Sequence, residues 1–562
     1  MVPFVIFSFR NSLFLKKKYV SLQQIWCYVS LKDKADNSVR ATLHKRHTEM
    51  KYPIGIQNFE SLRNDGYVYV DKTALIYRLV DEGRYYFLSR PRRFGKSLLL
   101  STLEAYLSGK KELFKGLAIE QLEKDWTEYL IFHLDLNVGE YKTEASLYAK
   151  LDAFLTPLER QYGTLPSLHE AGQRFEYVIG QAYKKTGKRI VILVDEYDKP
   201  LLATIAHPEL QDSFRTTLKA FYGVLKSMDG CIKFALLTGV TKFGKVSVFS
   251  DLNNLIDLSM DERYQTICGI TEDEIHRYFE KSVQELAKSY NISCEEALYR
   301  LEKYYDGYHF VENGKGVYNP FSLLNTLSRQ KFGRYWFETG TPSYLVEVMK
   351  QDNYPLPDLT QEQVTGDFLN SIDSMSKNPI PLIYQSGYLT IKSYDPRFGF
   401  YTLGFPNKEV EEGFADYLLP FYTNIKQGDS AFFIGNFVHD LETGKVDNFM
   451  RRMETMLADT DYKVVGDSEL YFQNAFYLIS RMLGFYTEVE RETSDGRMDM
   501  TVKTKDYVYI FEFKLDGSAA DALRQIAEKG YAKPFALDSR RLIKVGVNFS
   551  LEKRCIEEWK HE

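Results

Sequence analysis

Tyr85-Tyr86-Phe87-Leu88-Ser89-Arg90-Pro91-Arg92-Arg93-Phe94-Gly95-Lys96-Ser97-Leu98-Leu99-Leu100 reads as an apolar strand, a tight basic loop and the start of a helix. Gly95-Lys96-Ser97 is the end of a phosphate-binding loop. In such a loop the backbone N–H groups of Arg93 to Leu98 cup a phosphate, the lysine reaches the β/γ-phosphates and the serine hydroxyl meets Mg²⁺. Gly95 is expected there because a residue without Cβ lets the backbone approach a ligand closely. The full pattern places a glycine five residues before Gly95, where this chain has Arg90.

A second stretch supports the first. Arg189-Ile190-Val191-Ile192-Leu193-Val194-Asp195-Glu196 is an apolar run that ends in two carboxylates. Such runs fit strands buried on both faces of a parallel sheet. At the carboxyl end of that strand Asp195 is placed to hold the Mg²⁺ that Ser97 also touches. Glu196 is placed to polarise an attacking water as a general base. Leu130 to Leu136 and Lys233 to Gly239 read as further strands, and helical patterns lie between them. The alternation predicts a doubly wound parallel α/β sheet with ligands at the strands' carboxyl ends. Thr238 sits at one such end. It contacts the γ-phosphate or the water, or it is a helix-cap or turn residue.

The rest of the chain is consistent with several domains, given 562 residues. A net charge of -5 gives no whole-protein basic field for nucleic acid, although a local basic groove remains compatible with it. Cys27, Cys231, Cys268, Cys294 and Cys555 lie far apart without a CxxC, which points to a reducing cytoplasm rather than a disulfide frame or zinc site. His44 and His47 form a pair in a basic polar tail, read as solvated. No apolar run reaches transmembrane length, so no membrane association is expected. Residues 271–457 read as helices, loops and a hairpin over Leu389 to Thr402, a lid or linker beside the first domain.

Residues 458–562 carry a second constellation. A helix from Ser468 to Leu483 holds Glu469, and two strands, Met498 to Val502 and Tyr507 to Lys514, form a hairpin. Asp499 lies on the first strand. Glu512 and Lys514 lie two apart on the second, so they share a face. Paired carboxylates on adjacent strands suit Mg²⁺ or Mn²⁺, and a neighbouring lysine can orient a water toward a phosphodiester. Glu512 and Lys514 interrupt an otherwise apolar strand, and charges there call for a partner such as a metal. A following helix carries Gln525, and Tyr531 comes after it.

Taken together, Tyr52-Pro53-Ile54-Gly55, Tyr69-Val70-Asp71-Lys72-Thr73, Arg90 to Ser97 and Val194-Asp195-Glu196-Tyr197-Asp198-Lys199-Pro200 resemble the bacterial AAA-ATPase-like family. Members of that family commonly carry a C-terminal PD-(D/E)XK nuclease-superfamily domain. Gly496-Arg497-Met498-Asp499, Glu512-Phe513-Lys514, Gln525 and Tyr531 resemble its motifs. The resemblance implies a P-loop ATPase domain over residues 50–270, the lid over 271–457, and a restriction-endonuclease-like domain over 458–562. It implies ATP and Mg²⁺ as cofactors, with Mn²⁺ as an alternative at the second site, and DNA as partner. Asp499 and Glu512 would bind metal, Lys514 would serve the water and Glu469 would assist. Arg90 in the glycine position is normal for the family. Oligomerisation stays open, and Arg263 and Arg277 are the candidates for an arginine finger. The alternative expectation is a nucleotide-dependent switch or scaffold whose nuclease-like domain grips nucleic acid without cutting it.

Residues 1–49 pair an apolar start with a basic tail that fits neither a signal peptide nor a folded segment. Translation is expected to begin at Met50. The intact mass of the native protein checks this, and a mass that includes residues 1–49 refutes it.

Overall fold

In this computed structural model the structure describes residues 50–242, 254–339, 363–369, 378–457 except 424, 427 and 428, 468–484, 488–494 and 497–562 except 554, with 252, 356 and 359 singly. The side chains of 468–473 and 488–499 lie outside that description, as does the whole of the expected 1–49 extension.

The apolar runs become a sheet because both of their faces are covered. Helix α1 (Thr73–Glu82) leads into strand β1 (Tyr85–Ser89), and helix α2 (Lys96–Leu107) follows the loop. Next come β2 (Leu130–Asp135), α3 (Glu144–Tyr162), α4 (Ala171–Thr186), β3 (Ile190–Asp195), α5 (Pro208–Ser227), β4 (Ile232–Gly239) and the short β5 (Ile256–Asp257). The sheet order is β2-β3-β4-β1-β5, and every pairing is parallel. Alternation sends Tyr86, Leu88, Val191, Leu193, Phe234 and Leu236 into one core with α1 and α2. Phe87, Ile192, Val194, Ala235 and Leu237 enter the opposite core with α3, α4 and α5. Each fully buried leucine in these layers contributes about 2 kcal/mol of transfer free energy. All carboxyl ends therefore face one side, with β4 inserted between the strand that leads into the basic loop and the strand that ends in Asp195.

The middle region packs against that side. Helix α6 (Glu272–Tyr290) opens with a capping box between Thr271 and Glu274, and the Glu274 carboxylate also takes the Lys72 ammonium at 2.6 Å. The helical pattern expected over 271–305 splits at left-handed Asn291, and α7 (Cys294–Tyr305) restarts from the Ser293 cap. Helix α8 (Pro320–Arg329) is capped by Asn319. Strand β6 (Gln363–Thr365) joins the expected hairpin, β7 (Thr390–Asp395) with β8 (Phe400–Gly404), to make a three-stranded sheet. Helices α9 (Lys408–Tyr422), α10 (Ser430–Glu442) and α11 (Val446–Leu457) complete the region. The lid is thus mixed rather than purely helical.

The last part runs α12 (Ser468–Gly484), β9 (Glu488–Ser494), β10 (Arg497–Lys503), β11 (Tyr507–Leu515), α13 (Ala519–Lys529), β12 (Arg541–Ser550) and β13 (Cys555–His561). Its sheet order is β13-β12-β11-β10-β9, parallel only between β11 and β12, where α13 makes the crossover.

Glu409, on α9, is 1% exposed and accepts hydrogen bonds from the Ser322 hydroxyl at 2.9 Å and the Trp336 backbone N–H at 2.7 Å. Burial pushes its carboxyl up to about 7, so the folded state holds its proton more tightly than the unfolded chain does. The stability this contributes is full below the ordinary value of 4.5 and is lost as pH rises through 7. Glu409→Gln keeps the accepting oxygen and removes the titration. Urea melts across that window should show the variant gaining up to about 3 kcal/mol on the wild type. Parallel pH slopes for the two proteins would refute the assignment.

Candidate nucleotide and nuclease-like sites

Lys96 is the first residue of α2 and only 4% exposed. A cation is disfavoured there, because a helix N-terminus already carries a partial positive charge. Its ammonium donates to the backbone carbonyls of Arg90 at 3.0 Å and Pro91 at 3.3 Å, and lies 3.6 Å from Glu196 Oε1. Gly95 is left-handed, at φ 96°, and a Cβ there would meet no atom within 4 Å. The glycine is needed for its backbone angle and not, as the sequence suggested, for close approach to the protein. Arg93 is also left-handed, at φ 66°, a conformation that costs a non-glycine residue about 1 kcal/mol or more. With Arg90, Arg92, Arg93 and Lys96 around free helix N–H groups, this loop is built for an anion.

The tip of β3 faces it. Asp195 accepts hydrogen bonds from the Thr238 hydroxyl at 2.7 Å and from the Glu196 N–H at 3.0 Å. Thr238 thus orients the carboxylate, a geometry in which its hydroxyl is committed to protein rather than left for a phosphate. Glu196 is left-handed, at φ 53°, which turns its side chain toward Lys96. The Arg90 N–H donates to the Gly239 carbonyl at 3.1 Å, tying the loop to β4. Two residues that the sequence reading gave no role hold this tip. Asp198, fully buried, accepts from the Val240 N–H and from both the N–H and hydroxyl of Thr241. Burial and the neighbouring Glu196 charge push its carboxyl up. The Tyr197 hydroxyl donates to the Thr241 carbonyl at 2.9 Å.

The remaining loop residues go different ways. Ser97 is half-buried on the first turn of α2. Phe94 turns into the lid against Tyr308 and Phe310. The Arg93 guanidinium lies over Phe321 at 5.0 Å, and the Trp336 indole donates to the Arg92 carbonyl at 2.9 Å. Leu98 lines a mostly apolar cavity of about 620 Å³ with Val68, Ile76, Gly95, Ile267 and Ile270. Its walls come from stretches far apart in sequence, so no local pattern announces it. Arg263 pairs with Asp261 and Glu82 at the surface, and Arg277 lies over Tyr278.

In the C-terminal sheet, Glu512 is fully buried and Lys514 Nζ lies 2.9 Å from its Oε1. The same ammonium donates to Gln525 Oε1, from α13. This helix can come close because β12 has Gly546, where a Cβ would sit 2.3 Å from the Ala519 carbonyl oxygen. The β10–β11 register places Asp499 directly opposite Glu512. Tyr531 follows α13, its N–H donating to the Ile526 carbonyl. Among the described residues no three acidic, histidine or cysteine side chains gather around one point. The side chains of Asp499 and Glu469 lie outside the description. Two oxygen donors on paired strands nevertheless fit a hard divalent ion.

Residues 53–249 match a family described as predicted AAA-ATPase, and residues 467–559 match the PD-(D/E)XK nuclease superfamily. An Azotobacter chroococcum mcd 1 protein, described as uncharacterized and from the vnfD 5' region, is 35% identical over 522 residues, 90% of this chain and 98% of that one. The chain belongs to the AAA-ATPase-like family with a C-terminal PD-(D/E)XK nuclease-superfamily domain. Among solved structures, Aeropyrum pernix ORC2 in ADPNP–ADP complexes is 9% identical with a TM-score of 0.18, over 59% of this chain and 88% of that one. That likeness is too slight to bear on the fold. The AAA-ATPase-like match ends within the lid side of β4, and the nuclease match spans α12 to β13. None of the described helices is long and apolar enough to cross a membrane.

Proposed function

We propose that this AAA-ATPase-like protein binds ATP and hydrolyses it in a domain of residues 50–270, and that residues 458–562 cut DNA with a divalent metal. The observation that carries the first half is the meeting of Lys96 with Glu196, 3.6 Å apart, beside Asp195. Lys96 exchanges its loop carbonyls for the β/γ-phosphates. Ser97 and Asp195 would hold Mg²⁺, which when bound neutralises charge developing on the phosphates. Glu196, released from Lys96, takes the proton of the attacking water. Thr238 keeps the Asp195 carboxylate turned to the site. The apolar cavity beside Gly95 and Leu98 accepts the base. Residues 271–457 act as the lid, and the protein works in the cytoplasm.

The second half rests on Glu512, Lys514 and Gln525 converging opposite Asp499. Asp499 and Glu512 would hold Mg²⁺ or Mn²⁺, which supplies Lewis acidity at the phosphodiester. Lys514 orients the water, and Gln525 fixes Lys514.

Lys96→Ala should weaken ATP binding about 100-fold, the loss of one strong charge-assisted contact. Glu196→Gln should bind ATP as the wild type does and turn it over about 10²- to 10⁴-fold more slowly. Equal hydrolysis by Glu196→Gln and wild type would show that Glu196 is not the base. For the nuclease half, DNA cleavage with Mg²⁺ or Mn²⁺ should disappear in Lys514→Ala. Failure of the wild type to cut DNA, with or without ATP, would leave a domain that grips nucleic acid without cutting it.

A further inference from the structure

Arg90 is 1% exposed, and its guanidinium lies 3.9 Å over the Phe310 ring. One terminal nitrogen, Nη1, donates to the carbonyls of Ser89 at 2.9 Å and Ser259 at 2.8 Å. The other two, Nε and Nη2, have no partner among the described residues. Those two nitrogens form the side edge of the guanidinium, the fork that takes a carboxylate by two parallel hydrogen bonds. Burying such donors unpaired costs on the order of 1–3 kcal/mol each, more for a charged group. Beside this edge is a small cavity, about 450 Å³ including its open mouth, lined by Ser259, Phe310, Leu369, Tyr384 and Thr390 among others. None of its lining residues is acidic. The nearby Asp257 carboxylate is taken by the Lys242 ammonium. A fixed, desolvated cation with an open two-donor edge and no counter-charge is the complement of a small planar anion.

We infer that this cavity binds a small carboxylate, of formate or acetate size, on the Nε/Nη2 edge of Arg90. The site is separate from the phosphate loop mouth and does not depend on the nucleotide reading. Phe310 covers one face of the guanidinium, and the two carbonyls fix its angle, so the fork is pre-set for its ligand.

Thermal unfolding of the nucleotide-free full chain tests this, with formate, acetate, bulky pivalate and inorganic phosphate replacing chloride at constant ionic strength. Formate and acetate should raise Tm along a saturating curve, by about 2 °C at ten times the half-saturating concentration. Arg90→Lys, which keeps the charge and loses the fork, should show only the linear salt response. An identical saturating curve in Arg90→Lys would overturn the site. Should that variant fail to fold, the size series decides: saturation by pivalate equal to that by formate would overturn it. Saturation by phosphate alone would overturn the carboxylate class. Lys96→Ala separates the two anion sites. A formate curve that persists there supports the Arg90 cavity, and one that vanishes assigns the response to the phosphate loop.

Discussion

A buried ammonium at the positive end of a helix is the constraint around which the N-terminal domain is arranged. Lys96 cannot be stabilised by the α2 dipole and is too enclosed for water to screen it. It survives on two backbone carbonyls and one carboxylate. Both carbonyls belong to the loop and the carboxylate to the tip of β3, so the ammonium needs these to stay adjacent. Parallel pairing supplies that adjacency, because it brings the carboxyl ends of β1, β4 and β3 to one side. β4 lies between them and contributes Thr238 to orient Asp195 and the Gly239 carbonyl to hold the loop.

The lid is fastened to the same loop at several independent points. Trp336 bonds the Arg92 carbonyl, Phe321 carries Arg93, and Tyr308 and Phe310 enclose Phe94. Glu409 in turn fixes the Trp336 backbone. Each contact is worth about 1 kcal/mol alone. Acting on one short, partly left-handed segment, they leave it little freedom to move without the lid. Lys72, just before α1, is paired with Glu274 of the lid as well. Movement of the lid and the shape of the phosphate loop are therefore mechanically coupled.

Much of this was legible in the sequence, for a physical reason. A strand buried on both faces must be apolar at successive positions, so Ile190 to Val194 and Ala235 to Leu237 announced the parallel sheet. The two-residue β5 was too short to leave such a run. Glu512 and Lys514 stood out because charge in an apolar strand needs a nearby partner, and each proves to be the other's. Gln525 sits on a helix, and nothing in its own neighbourhood fixes its distance to Lys514. Asp198, Trp336 and the Leu98 cavity act through contacts between stretches far apart in the chain, which no local periodicity encodes. The conformational demand on Gly95 was visible, but its cause was misjudged, since sequence alone does not separate a need for φ from a need for space.

Both sites hold a lysine against a glutamate where water is mostly shut out. Such a pair is a poor device for stability, because desolvation cancels most of the attraction and an apolar replacement of equal volume often folds as well or better. The two pairs also differ in tightness. Lys514 meets Glu512 at 2.9 Å with the carboxylate fully buried, whereas Lys96 stands 3.6 Å from a Glu196 side chain that keeps 19% of its exposure. The looser pair is the one proposed to part when a triphosphate enters, and the tighter one is proposed to stay together while a metal joins it. A pair that only braced the fold would have no reason to be kept loose and within reach of solvent. The geometry at Lys96 and Glu196 therefore argues for a ligand that competes for the lysine.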